Sequence, residues 1–146
     1  MNSILSGLLF FILLYLIFDI LVKQSSFGLT PTDISLTLFG DEEAFMDALS
    51  PSSFLEFIHT EIFFMMMILL TLSSVFIRLS KNFVYASLLT NTTMVAGLLS
   101  LLFLALAFYI SAFFVLLFSI SFFVWHIGAI GMSLYAFWRL NFARSL

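Results

Sequence analysis

The stretch from residue 53 to residue 70, SFLEFIHTEIFFMMMILL, places two carboxylates and an imidazole directly before an apolar run. Glu56 and His59 are three residues apart, so on a helix they point the same way, as metal ligands do in carboxylate-bridged di-iron bundles. Glu61 points away from both on a helical wheel. The helix macrodipole also favours acids near a helix start. Two interpretations of Glu56 and His59 therefore stand: a metal or haem site, and a polar helix start at the membrane interface.

A second imidazole, His126, lies inside the last apolar segment. Ser119, His126 and Ser133 recur at seven-residue spacing and fall on one helix face. Small residues, which let another helix backbone approach closely, lie nearby at Gly128, Ala129 and Gly131. This segment is therefore predicted to be the central helix, with His126 directed inward. A buried histidine is either a neutral, hydrogen-bonded core residue or a ligand of haem b, of a metal ion or of a quinone.

The two histidines differ in depth. At 1.5 Å per residue, His59 lies about 28 Å along its helix from Arg78, and His126 lies about 20 Å from Arg139. Both fall in the outer half of the membrane, with a height difference of about 9 Å. One haem with two axial ligands fits this difference only if the helices tilt, and the histidines can equally belong to separate sites.

Two further polar groups interrupt the apolar segments. Asp19 precedes Lys23 by four residues, and an ion pair near the outer end of the first helix accounts for both without a function. Asn91 lies about 15 Å along its helix from Lys81, near the bilayer centre. A hydrogen bond from this amide to a neighbouring helix is favoured over a conduction path, because one amide does not make a pathway.

The composition sets the class of protein that must position these residues. The chain has 146 residues, of which 63% are hydrophobic and 9% charged, and its mean hydropathy is +1.22. Soluble domains carry roughly 25% charged residues, so this chain is predicted to be an α-helical, multi-pass membrane protein. It has no cysteine, which excludes disulfides and thiolate metal sites. There is no basic patch of the kind that binds nucleic acid.

The apolar segments, and the charged and turn-forming residues between them, predict a single membrane domain, an up-down bundle of four transmembrane helices. The predicted spans cover residues 4–22, 54–77, 83–106 and 111–138, with an outer loop over 24–53. The last two spans are predicted to turn near Tyr109 and Ser111.

Two short helices are predicted in the loop. One opens at Pro31 with Thr32 and Asp33 as cap candidates. The other is an amphipathic surface helix capped by Asp41, running through DEEAFMDAL and ended by Pro51. Its apolar face consists of Ala44, Phe45, Ala48 and Leu49. Ser52 or Ser53 is then expected to cap the second span. Glu42, Glu43 and Asp47 could fold back towards Glu56 to complete a hard-metal site, although nothing in the sequence requires it.

The distribution of acidic and basic residues predicts how the chain is oriented in the membrane. All eight acids lie between residues 19 and 61, and four of the five basic residues follow them: Arg78, Lys81, Arg139 and Arg144. With four spans these basic residues share one side, which the positive-inside rule places in the cytoplasm together with both termini. The acidic loop is then outside. The phenylalanine-rich, cysteine-free spans suit a bacterial inner membrane or an organelle-encoded subunit, and the bacterial membrane is favoured.

No Ser/His/Asp set, nucleophile elbow or phosphate-binding glycine loop is present, so no catalytic residue is assigned. The sequence favours a non-enzymatic scaffold or accessory subunit that contacts the lipid bilayer and packs against other membrane subunits or against itself. The alternative is an electron-transfer or metal-handling protein that holds haem b, a metal ion or a quinone through His59 and His126, with Glu56 as a further metal ligand.

Overall fold

The computed structural model describes residues 2–41 and 45–142, and the described part is helical apart from its connections. The helices are α1 (Asn2–Ser26), α2 (Pro31–Phe39), α3 (Pro51–Leu79), α4 (Phe83–Tyr109) and α5 (Phe113–Asn141). All but α2 are long and apolar enough to cross a membrane. The predicted fold class, four transmembrane helices with a short helix in the loop between the first two, is confirmed.

Both prolines begin a helix. Pro51 is the first residue of α3, and the hydroxyl of Ser50 caps this helix by accepting a hydrogen bond from the Ser53 amide at 3.2 Å. Thr30 caps α2 in the same way, ahead of Pro31. The predicted caps at Ser52 or Ser53, and at Thr32 or Asp33, were therefore wrong. Proline suits the first helical position because it lacks the N–H that would remain unpaired there.

The predicted amphipathic helix after Asp41 is also wrong where the structure describes it. Asp41 and Met46 exchange backbone hydrogen bonds of 2.9 Å in each direction, which holds these two residues side by side. Phe45 has a φ of 54°, and residues 47–50 are not helical. Glu42, Glu43 and Ala44 lie outside the described residues. Gly40 has a φ of 77°, and a Cβ there would stand only 2.6 Å from the Met46 carbonyl oxygen, so this position favours glycine.

Helix α5 lies at the centre of the bundle and packs against each of the other four helices. Two apolar cores surround it. One core, which includes residues near the end of α3 and of α5, contains Leu9, Leu16, Met65, Leu72, Trp125 and Met132. The other core, beside α2, contains Phe27, Ile34, Leu38, Phe54, Leu104, Phe118 and Phe122. Helix α2 thus serves as an apolar cover, since Ile34 and Leu38 are each only 2% exposed.

Small residues allow α4 and α5 to approach closely. A Cβ at Gly128 would collide with the Thr93 hydroxyl of α4. Ala129 is fully buried, whereas Gly131 has open space where a Cβ would stand. On the other side of α4, a Cβ at Gly97 would lie 3.0 Å from the Met65 sulfur of α3. The small residues of α5 therefore serve mainly contacts within this chain.

Candidate functional site

Lys23 is the only buried basic residue in the described part of the chain. Its ammonium donates to both carboxylate oxygens of Asp19, at 2.8 and 2.9 Å, and to Glu61 of α3 at 2.7 Å. The whole residue is 6% exposed. The local pair with Asp19 is the one expected from four-residue spacing, but it lies inside the bundle and not at a wet interface.

His126 of α5 completes this group from the other side of Asp19. Its Nε2 atom lies 2.9 Å from Asp19 Oδ2, and its Nδ1 atom lies 3.0 Å from the backbone carbonyl oxygen of Phe122. His126 is 1% exposed. Asp19, Lys23, Glu61 and His126 form what we call the ionic cluster. It joins three membrane-crossing helices, α1, α3 and α5.

Aromatic rings enclose the cluster. The His126 ring lies 4.0 Å from the Phe122 ring and 3.8 Å from the Trp125 ring, measured between centroids. The Lys23 ammonium lies 5.4 Å from the Phe122 centroid and 5.9 Å from that of Phe57. Both distances suit a cation–π interaction, which strengthens where water is excluded. The walls thus favour positive charge at Lys23.

The space beside the cluster is small. A cavity of about 10 Å³ lies between Lys23, α2 and α5, lined mainly by phenylalanines. A single water molecule needs roughly this much room. Each charged group of the cluster already has a charged or polar partner. The charged groups of the cluster are thus paired with one another, with space for about one water molecule beside Lys23.

The structure places Glu56 and His59 away from this cluster. Both side chains are exposed on the outward surface of α3. His59 lines a shallow surface groove with Ile62, Met66 and other apolar residues. Within residues 2–41 and 45–142, no group of three or more His, Asp and Glu side chains is placed to hold a metal ion. His59 and His126 therefore do not meet in one site, and the predicted contributions of Glu42 and Glu43 fall outside the described residues.

Glu61 is the functional residue that the sequence argument set aside. The helical wheel already placed it opposite Glu56 and His59, and this opposite face turns out to be the face that packs into the bundle. An acid well inside an apolar helix needs a cationic partner. Lys23 was the available cation, but the pattern of either helix alone does not say which faces meet.

The remaining predicted polar residues are distributed over the bundle. The Ser119 hydroxyl donates to the Val115 carbonyl of its own helix, at 3.0 Å. The Ser133 hydroxyl donates to the Leu9 carbonyl of the neighbouring helix α1, at 3.3 Å. Asn91 is exposed on α4 and makes no side-chain hydrogen bond in the described part of the chain.

Asn91 lines an open groove of about 440 Å³ between α4 and α5. The groove is flanked by Thr92 and Ser121 and by apolar residues, among them Val95 and Ile120. Because Asn91 faces outward, it does not bind a neighbouring helix of the same chain. We refer to this surface as the Asn91 groove.

Residues 28–145 match a family described as a transmembrane helical domain, and the chain belongs to this family, Aq_1264_TM. Neither the curated proteins nor the solved structures gave a match. The matched range includes Glu61 and His126, while Asp19 and Lys23 of α1 precede it. The family and the four apolar helices together identify a multi-pass protein in contact with the lipid bilayer.

Proposed function

We propose that this protein is a non-enzymatic accessory or scaffold subunit of a membrane complex, located in a bacterial cytoplasmic membrane. The observation that supports this proposal best is the Asn91 groove, a mostly apolar surface groove in which Asn91 is exposed and makes no side-chain hydrogen bond in the described part of the chain. A membrane helix of another subunit, or of a second copy, is the partner that this surface suits.

The position of Asn91 explains why it needs a partner. It lies eight residues after Phe83, which is about 12 Å along the helix axis. At this depth water is excluded, and an amide without a hydrogen-bond partner costs several kcal/mol in hydrocarbon. Asparagine on a neighbouring helix commonly supplies interhelical hydrogen bonds in membranes, at about 0.6 to 2 kcal/mol each. Thr92 and Ser121 flank the same groove.

The ionic cluster supports a non-enzymatic role. Its carboxylates and its imidazole already bond to one another or to Lys23, and the adjoining cavity is about 10 Å³. No observation favours the electron-transfer or metal-handling alternative. Both ring nitrogens of His126 have protein partners, and His59 faces outward on α3.

We further propose that both termini are cytoplasmic and that the acidic loop is outside. The Ser6 hydroxyl donates to the Asn141 side chain at 3.1 Å, so the beginning of α1 lies beside the end of α5. Arg78 and Arg139, in the last turns of α3 and α5, contribute positive charge at this same end. Arg144 lies outside the described residues.

Photo-crosslinking in native membranes tests the subunit proposal. A photoreactive phenylalanine at Val95, which is 54% exposed inside the Asn91 groove, is compared with one at Ile17, which is 50% exposed on α1. We expect Val95 to give one discrete protein adduct, either a second copy or another subunit. Ile17 should give lipid adducts alone. Asn91→Leu should diminish the Val95 adduct without changing expression.

Lipid adducts alone from Val95 would contradict the proposal. So would a Val95 protein adduct that is unchanged in Asn91→Leu, since Asn91 would then have no part in binding. The mass of the adduct separates self-association from association with a different protein.

A further inference from the structure

Both ring nitrogens of His126 face oxygen atoms that only accept hydrogen bonds. Nδ1 lies 3.0 Å from the Phe122 carbonyl oxygen, and Nε2 lies 2.9 Å from Asp19 Oδ2. A neutral imidazole has one N–H, so it can donate to only one of them. With Asp19 ionised, the other contact would place a nitrogen lone pair against an oxygen lone pair at hydrogen-bond distance. The geometry therefore calls for one additional proton.

The net charge of the ionic cluster also indicates one additional proton. Lys23 contributes one positive charge, and Asp19 and Glu61 together contribute two negative charges. With neutral His126 the cluster would carry a net charge of −1 inside the membrane. One further proton brings it to zero. An uncompensated charge is costly where water is excluded, so the neutral count is favoured.

Among the groups around the pair, only Glu61 of α3 could take up the further proton instead, and one ring nitrogen of His126 would then still face an oxygen lone pair. Helix α1 contributes Lys23 and, four residues before Asp19, the neutral phenol of Tyr15. Helix α4 contains no Asp, Glu, Lys, Arg or His. The one charged residue of α2, Asp33, is exposed and accepts a hydrogen bond from Thr30.

We propose that Asp19 and His126 form a proton-binding site within the membrane, at which one proton is held between α1 and α5. The proton resides on Nε2, as an imidazolium–carboxylate pair, or on Oδ2, as a carboxylic acid that donates to a neutral imidazole. Both forms contain the same number of protons, satisfy both contacts of His126 and leave the ionic cluster neutral.

Proton binding at this site also fastens α1. Only 17% of the apolar window of α1 is buried, against 33% to 39% for the other three spans, so its polar contacts form a large part of its attachment. Loss of the proton would leave a net charge of −1 and a lone-pair contact between α1 and α5. Release of the proton therefore weakens the contact between these two helices.

Nitrogen NMR of the full chain in lipid nanodiscs, with ¹⁵N-labelled histidine, tests the site. The chain has two histidines, so His59→Gln assigns the signals, and exposed His59 serves as the internal reference in the unmodified chain. At a pH of about 7.5 an ordinary exposed imidazole is mostly neutral, because its pKa is about 6.5. We expect His126 to show two protonated ring nitrogens at that pH, or else an infrared carboxylic-acid band that disappears in Asp19→Asn.

Where His126 is doubly protonated in the unmodified chain, Asp19→Asn should convert it to a neutral ring with one unprotonated nitrogen. The matched variant Asp33→Asn removes an exposed carboxylate from α2 and should leave the His126 signals unchanged. An unprotonated His126 nitrogen in the unmodified chain, together with no infrared band that depends on Asp19, would overturn the proposal. So would a doubly protonated His126 that persists unchanged in Asp19→Asn.

Discussion

Replacing Lys23 by methionine is expected to destabilise the bundle more than any surface charge replacement. The unbranched side chain keeps most of the volume of the lysine stem but removes the ammonium. Three hydrogen bonds of 2.7 to 2.9 Å are lost, and the Asp19 and Glu61 side chains, which are 8% and 16% exposed, lose their ammonium partner. Removing one partner of a buried ionic group costs about 3–5 kcal/mol, largely because the other charges stay buried.

Equilibrium unfolding in mixed detergent micelles measures this cost. Tryptophan fluorescence is a suitable signal, because the Trp125 ring lies 3.8 Å from the ring of His126. The control is Lys81→Met, the same substitution at an exposed position, which should change the free energy of unfolding by less than about 0.5 kcal/mol.

A second substitution isolates the ionic contribution. Glu61→Gln removes the carboxylate that Lys23 neutralises, so Lys23→Met combined with Glu61→Gln should cost less than the two single variants together, by about 1–3 kcal/mol. Equal destabilisation by Lys23→Met and Lys81→Met would refute the reasoning, as would strict additivity of Lys23→Met and Glu61→Gln.

Two further predictions concern packing and orientation. Gly128→Ala should lower the free energy of unfolding by about 1–3 kcal/mol, because the added Cβ would collide with Thr93. Gly131→Ala should be neutral or stabilising by up to about 1 kcal/mol, because there is open space at that position. Thermal unfolding of the two variants gives the comparison. For orientation, a membrane-impermeant maleimide should label Thr32→Cys in intact cells and Ser80→Cys only after permeabilisation; the reverse pattern would contradict the proposed topology.

The membrane class and the fold class were predictable because they depend on composition and on the length of apolar segments. A span needs about 20 apolar residues, and this requirement is local to the segment. The start of α3 was misplaced by three residues, and the caps of α2 and α3 were sought after Pro31 and Pro51, whereas Thr30 and Ser50 cap these helices from the positions before the prolines. The backbone pairing of Asp41 with Met46 replaced the predicted helix after Asp41, because hydrophobic periodicity over nine residues is a weak signal.

The ionic cluster was predictable only in part. Asp19 and Lys23 are four residues apart, so their pairing follows from helix geometry alone. Glu61 and His126 reach the same point from helices that are distant in sequence, and their meeting depends on how the helices are arranged around α5. Hydropathy gives the spans but not this arrangement. For the same reason the outward direction of His59 became visible only in the folded bundle.

Disulfide formation between α1 and α5 tests most directly the central claim that the ionic cluster fastens α1 to the bundle. The chain has no cysteine, and the side chains of Ser6 on α1 and Asn141 on α5 lie 3.1 Å apart, so Ser6→Cys with Asn141→Cys provides a pair for crosslinking in native membranes. We expect rapid crosslinking when the cluster is intact or when Lys81→Met is added, and much slower crosslinking when Lys23→Met is added. Equal rates in all three backgrounds would contradict the account.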